Sequence, residues 1–167
     1  MLKLKLKNFF TENKGGIITA ALIIALDRAS KILALEWLAA KGSVEVLPFF
    51  RLTYVENTGA AFGSFKNGNL FLIIACAVIL FFMFRWKADI DRYGKAARYG
   101  FVFIVAGALG NLYDRLTLGF VVDYFDFIVW PVFNIADSFI CIGAGLIAVA
   151  ALKDALRNKK GKKTEDK

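Results

Sequence analysis

Residues 70–84 read LFLIIACAVILFFMF, fifteen apolar residues without a break, and this stretch decides the class of fold. A spanning helix needs about 20 residues at roughly 1.5 Å each, so the segment must extend back through Asn69 towards Lys66 and on to Trp86. Arg85 and Trp86 suit an interfacial edge. A second firm segment runs from about Phe133 to Leu152, with Asn134, Asp137 and Ser138 as its plainly polar members. Gly143 and Gly145 within it would permit close helix contact. Two stretches are less apolar. Ile17 to Leu35 is interrupted by Thr19, Asp27, Arg28, Ser30 and Lys31, and Tyr99 to Tyr113 by Asn111.

Composition points the same way. The apolar share is 58% of 167 residues and the mean hydropathy is +0.56, against about 45–50% apolar in soluble domains. The formal charge of +8 raises nucleic-acid binding, but the location of the cations argues otherwise. Sixteen Lys and Arg residues fall before the first segment, between the second and third, and after the fourth. Four fall in the other two links, and Arg28 and Lys31 lie within the first segment. That alternation is the positive-inside pattern of four spans with both termini cytoplasmic. The N-terminal stretch lacks the order of a cleavable signal, so the first helix is expected to be retained.

The expected fold is an all-α membrane protein, a four-transmembrane-helix bundle in a single domain over 1–167. Its spans are approximately 17–35, 68–86, 99–114 and 134–152. Residues 36–67 and 115–133 are the outward-facing links, and 153–167 form a basic cytoplasmic tail. Gly42 to Tyr54 is β-prone around Pro48. Leu116 to Val132 is too aromatic for a wet loop and reads as an interfacial loop or helix.

The chain contains no His, which removes Ser-His-Asp triads, Cys-His pairs and HExxH zinc sites. Cys76 and Cys141 lie in apolar stretches, read as small core residues without the partners a thiolate metal site needs. The unusual groups are the acids Asp27, Asp114, Asp123 and Asp137, which the four-span order gathers towards one side of the membrane. Asn111 and Asp114 share a helix face at a spacing of three, and Asn134 and Asp137 repeat it. Three of the four also have a structural reading. Asp27 pairs with Lys31 at i,i+4, Asp114 pairs with Arg115 or another base, and Asp137 caps the fourth helix. Two carboxylates sharing one proton can activate water, one as base and the other as acid. Asp123 with Asp137 is the best pair topologically. The competing functions are a small proton or ion transporter, with acids spread along a route through the bilayer, and a scaffold or lipid-binding protein.

At these residues the chain resembles lipoprotein signal peptidase, the bacterial aspartic membrane proteases also called signal peptidase II. The resemblance rests on five ordered blocks: Asp27-Arg28-Ala29-Ser30-Lys31, Asn57-Thr58-Gly59-Ala60-Ala61-Phe62-Gly63, Gly110-Asn111-Leu112-Tyr113-Asp114-Arg115, Val121-Val122-Asp123-Tyr124-Phe125-Asp126-Phe127, and Phe133-Asn134-Ile135-Ala136-Asp137-Ser138. It implies Asp123 and Asp137 as the catalytic dyad, with Asn57, Asn111, Asp114, Arg115 and Asn134 supporting or positioning substrate and Asp27 a supporting polar residue. It implies cleavage of diacylglyceryl-modified prolipoproteins immediately before the lipid-modified Cys, with no cofactor and no metal. It also implies contact with membrane phospholipid, inhibition by globomycin-like cyclic peptides, a monomer without nucleic-acid partners, and a site near the outer face of the cytoplasmic (inner) membrane. A small outward-facing β-cradle within 44–65 and a flexible cover within 116–133 are expected on the same ground. Arg115 either contacts a carbonyl or lipid ester or neutralises Asp114, and Asp126 is solvated or structural. The family often has Gln where Arg28 stands and Ser where Gly63 stands.

Overall fold

The computed structural model describes residues 13–59 and 68–165, with side chains through 159. Lys3, Lys5, Lys7, Ala60 to Gly63 and Lys66 lie outside the described residues. Helix α1 (Lys14–Leu33) runs into one wider π turn at Ala34–Leu38. Strands β1 (Ser43–Leu47) and β2 (Phe50–Asn57) form a hairpin around Pro48-Phe49. Helices α2 (Gly68–Arg85), α3 (Lys87–Asp91) and α4 (Lys95–Thr117) follow. Strand β3 (Val121–Asp126) then leads to α5 (Ile135–Glu165).

The described chain is all-α apart from one antiparallel three-stranded sheet in the order β1-β2-β3. Among the described residues two helices have the length and composition to cross a membrane, Gly68–Arg85 and Ile135–Lys159. Their surfaces match that role, since only 6% and 17% of their most apolar stretches are buried. On α2, Leu70, Phe71, Ile74 and Phe81 are each more than half exposed. A water-soluble protein rarely leaves so large an apolar face open. The interior is the reverse, because Lys31, Asp27, Asp114, Asp123 and Asn134 are among the largest fully buried side chains. Apolar groups face out and charged groups face in, as lipid solvent demands.

Helix α4 packs along α5 and against α1 and α2. Small residues make the α4–α5 approach possible. A Cβ on Gly100 would lie 2.6 Å from the Gly143 carbonyl oxygen, and one on Gly143 would lie 2.6 Å from that of Gly100. A Cβ on Gly107 would lie 2.5 Å from the Ala136 carbonyl oxygen. Gly145, expected to share this role, faces open space instead. It is two residues from Gly143 and so points to another side of the helix.

Residues 115–133 also depart from the expected interfacial loop or helix, since Val121–Asp126 joins the sheet as β3. Val121 through Tyr124 are all buried, so the strand lacks the polar alternation that marks a half-exposed one. Ala34, Leu38, Val122 and Tyr124 form the core that ties sheet to α1. Beyond β3, reciprocal backbone hydrogen bonds between Phe125 and Phe133 close a loop. Its tip exposes Ile128, Val129 and Trp130, an apolar surface of interfacial character. Cys141 is exposed on α5 and Cys76 is partly buried, so neither is the small core residue expected. In a lipid-facing bundle an apolar helix face can lie outside.

Replacing Gly143 by Ala should therefore destabilise the fold by about 1–3 kcal/mol through overpacking. Gly145→Ala should be neutral or stabilising by up to about 1 kcal/mol through helix propensity. Thermal unfolding of both variants in detergent micelles checks the contrast, and equal shifts would contradict the packing described.

Candidate active site

The polar interior begins with Lys31. Its ammonium has three hydrogens to place, and three acceptors surround it: Asp27 Oδ2 at 3.0 Å, Asp114 Oδ2 at 2.9 Å and Asn111 Oδ1 at 2.8 Å. Arg28 completes the charge balance by donating to Asp114 Oδ1 and lies 5.2 Å from the Tyr113 ring centroid. Asp114 Oδ2 also accepts the Val122 N–H at 3.3 Å. Gly110 lets Asp27 come close, because a Cβ there would sit 2.6 Å from Asp27 Oδ2. The i,i+4 pairing of Asp27 with Lys31 read from the sequence is present. Asp114 is ion-paired with Arg28 and Lys31.

This cluster organises the start of α5. Ile135 N–H donates to the Tyr124 hydroxyl at 3.4 Å, Ala136 N–H to Asp27 Oδ1 at 3.0 Å and Asp137 N–H to Asn134 Oδ1 at 2.9 Å. The Asn134 N–H donates in turn to Asp137 Oδ2 at 3.2 Å. That reciprocal exchange is a capping box built from Asn and Asp. Tyr124 extends the link to α1 by donating to Ser30 Oγ at 2.6 Å.

Three asparagines then aim their amide N–H groups at two carboxylates. Asn111 Oδ1 is held by Lys31 and by Asn134 Nδ2, at 2.8 and 3.1 Å, so its Nδ2 turns to Asp137 Oδ1 at 2.7 Å. Asn134 Oδ1 is occupied by the helix cap, which leaves Nδ2 for Asp123 Oδ1 at 2.7 Å. Asn57 Oδ1 accepts the Gly59 N–H at 2.9 Å, and its Nδ2 reaches Asp123 Oδ2 at 2.8 Å. Strand register permits this last contact. Val55 pairs with Asp123, and Asn57, two residues on, lies on the same face.

Asn134 therefore touches both carboxylates, Asp123 through its side chain and Asp137 through its backbone. Burial is the main reason that the Asp123 carboxyl is pushed up to about 6, with the Asn57 amide opposing and the Asp137 charge adding to the rise. Arg115 is electrostatically coupled to both acids, yet its guanidinium donates to the Asn57 carbonyl at 3.3 Å. Asp126 sits apart at the far end of β3, taking hydrogen bonds from Thr53 Oγ1 and Ile128 N–H that hold its carboxyl below the ordinary value.

All eight residues singled out in the sequence thus fall in one connected network. Sequence reading treated Lys31 only as a partner for Asp27 and missed Ser30 and Tyr124 as structural members. A cation inside an apolar segment was the available signal for Lys31. Nothing in local spacing announced the Tyr124–Ser30 contact, which joins residues 94 apart.

An apolar exterior around a hydrogen-bonded carboxylate cluster, at the junction of helices and a small sheet, fits the class of membrane aspartic hydrolases. Residues 19–153 match the family described as signal peptidase (SPase) II, peptidase A8. The lipoprotein signal peptidase of Desulfitobacterium hafniense is 45% identical, with 89% of this chain and 97% of the relative covered. That of Thermodesulfovibrio yellowstonii is 42% identical, covering 81% and 93%. Two solved bacterial membrane enzymes, determined by the in meso method at 1.9 and 2.3 Å resolution, are each 33% identical, with TM-scores of 0.77 and 0.73. The first comparison covers 84% of this chain and 94% of the other, and the second 85% and 90%. The chain belongs to the signal peptidase II family, and it is an aspartic endopeptidase of the bacterial membrane.

Because its folded value lies near 6 against about 3.9 in an unfolded chain, Asp123 holds its proton in the fold over a range where the unfolded chain releases it. The associated stability is fully present below about pH 4 and is lost as pH rises through about 6. In Asp123→Asn that loss disappears, so its melting temperature should gain on the parent's between pH 4 and pH 7. Melting curves across that range test this, and a pH-independent difference would contradict a raised Asp123.

Proposed function

We propose that Asp123 and Asp137 are the acid–base pair with which this signal peptidase removes the signal peptide of a diacylglyceryl-modified prolipoprotein, immediately before the modified Cys. The observation that carries the reading is the double contact of Asn134, which holds the two carboxylates in one fixed relation. The ionised carboxylate takes a proton from water as the water oxygen attacks the scissile carbonyl carbon. The protonated carboxyl gives its proton to the carbonyl oxygen, stabilising the tetrahedral intermediate. When the C–N bond breaks, the proton taken from water passes to the leaving nitrogen. The intermediate's hydroxyl proton returns to the pair, leaving two new termini and the original count of one shared proton.

Asn57, Asn111 and Asn134 act as positioning groups, and Asp27, Asp114 and Lys31 hold them from behind. Arg115, bound to the Asn57 carbonyl, stands where it can meet a substrate carbonyl or lipid ester. Four membrane crossings by α1, α2, α4 and α5, with both termini cytoplasmic and the dyad near the outer face, are supported by the cation distribution along the chain. In that frame the β1–β2 hairpin is a cradle, and the apolar tip at Ile128 to Trp130 lies at the lipid surface as a cover. A transporter would need ionisable groups along a through route. Helix α2 offers no charged side chain between Gly68 and Phe84.

Asp123→Asn and Asp137→Asn should each lower cleavage of a purified diacylglyceryl-modified prolipoprotein by about a hundredfold or more, with membrane insertion retained. Asp126→Asn should keep substantial activity, because its partners are Thr53 and Ile128. Robust cleavage by either dyad variant, or equal loss in Asp126→Asn with folding intact, would overturn the assignment.

A further inference from the structure

The opposite end of the bundle carries a second site. Arg98 and Asn111 are separated by about 20 Å of α4. At the Arg98 end lies a cleft of about 500 Å³ between the start of α1, the end of α2, α3 and the start of α4. Its walls are apolar, with Ile17, Ala20, Phe84, Phe101 and Val102 among them. The packing of Phe84 edge-on to Phe101, centroids 5.3 Å apart, makes one wall rigid.

The mouth is charged. Lys87, Lys95 and Arg98 line it, with Asp91 the acid beside them. Lys87 is committed to Asp91 Oδ2 at 2.6 Å, whereas Lys95 and Arg98 are exposed and have no ion-pair partner among the described residues. Two positive charges are therefore in excess. The start of α4 adds to them, because Gly94 offers no capping side chain and no acid occupies the first turn. The first turn of α1 likewise holds no acid and brings Gly15 and Gly16 to the same cleft.

An apolar trough and an excess of positive charge at its mouth together specify an occupant. We propose that this cleft binds one anionic glycerophospholipid. Its phosphate lies against Lys95, Arg98 and the α4 N-terminus, and an acyl chain runs between α1 and α4. A soluble anion would leave the apolar walls unused, and a zwitterionic lipid would leave the charge excess uncompensated. Trp86, half exposed and stacked on Phe82 with centroids 4.9 Å apart, sets the same end at an interfacial depth. The site is independent of the dyad assignment and requires only that the apolar helices lie in a bilayer.

Native mass spectrometry of the full chain in detergent, titrated with phosphatidylglycerol and phosphatidylcholine of identical acyl chains, tests the proposal. One phosphatidylglycerol should be retained in preference to phosphatidylcholine. Lys95→Gln and Arg98→Gln should each weaken it about fivefold, and together about 25-fold, while Lys95→Arg with Arg98→Lys preserves it. Peptidase activity in lipid-free micelles should be unchanged in all of these variants, which reports that they are folded. Phosphatidylmethanol, equal in charge but without headgroup hydroxyls, should bind as tightly as phosphatidylglycerol, and binding as weak as that of phosphatidylcholine would overturn the charge-based site. Retention of phosphatidylglycerol by the double Gln variant at the parent level, equal retention of phosphatidylcholine, or displacement by millimolar inorganic phosphate would overturn the lipid site.

Discussion

One buried ammonium sets the geometry of this protein. Lys31 is fully buried, and Asp27, Asp114 and Asn111 take its three hydrogens. Removing one partner from such a cluster typically costs about 3–5 kcal/mol, because the remaining charges are left uncompensated. The cluster also joins elements distant in sequence. Asp27 caps α5 through Ala136, Asp114 holds β3 through Val122, and both belong to helices packed against each other. The bundle is thus tied by charge at this end and by close glycine contacts along the seam between α4 and α5.

The ammonium acts on the proposed dyad through the direction of an amide. An asparagine side chain has one accepting and one donating end. Lys31 occupies the accepting end of Asn111, the α5 cap occupies that of Asn134, and the turn at Gly59 occupies that of Asn57. Each donating end is left to face Asp123 or Asp137. A carboxylate pair fixed in this way needs little reorganisation as charge moves during reaction, which is where such preorganisation lowers a barrier. Burial simultaneously raises Asp123 to about 6, a range in which a carboxyl can exchange a proton near neutrality.

Much of this was legible in the chain itself. The run Leu70 to Phe84 marked a membrane helix, and the absence of His left carboxylates as the evident acid–base groups. The acids could be gathered on one side by counting spans, because topology alone brings Asp27, Asp114, Asp123 and Asp137 to the same end. The strand at Val121–Asp126 was not legible, since burial on both faces erases its alternation. Nor was the difference between Gly143 and Gly145, which depends on the face each turns to α4. The amide direction of Asn111 was hidden for a further reason, since it follows from partners 80 and 23 residues away that no local pattern encodes. Those of Asn134 and Asn57 are set locally, by N–H groups three and two residues along the chain. Arg28, a departure from the Gln often found in the resembling family, finds its partner in Asp114.

The exterior and interior together explain why this chemistry sits in a membrane. Lipid-facing Leu, Ile and Phe exclude water from the bundle, so a polar network inside keeps its strength and each unpaired group would be costly. The most direct measurement of the central claim is a structure of the protein with a bound peptide analogue whose hydroxyl replaces the scissile carbonyl. The account predicts that hydroxyl between Asp123 and Asp137, within hydrogen-bond distance of both. A hydroxyl bound away from this pair, with the peptide otherwise seated in the cleft between sheet and helices, would contradict it.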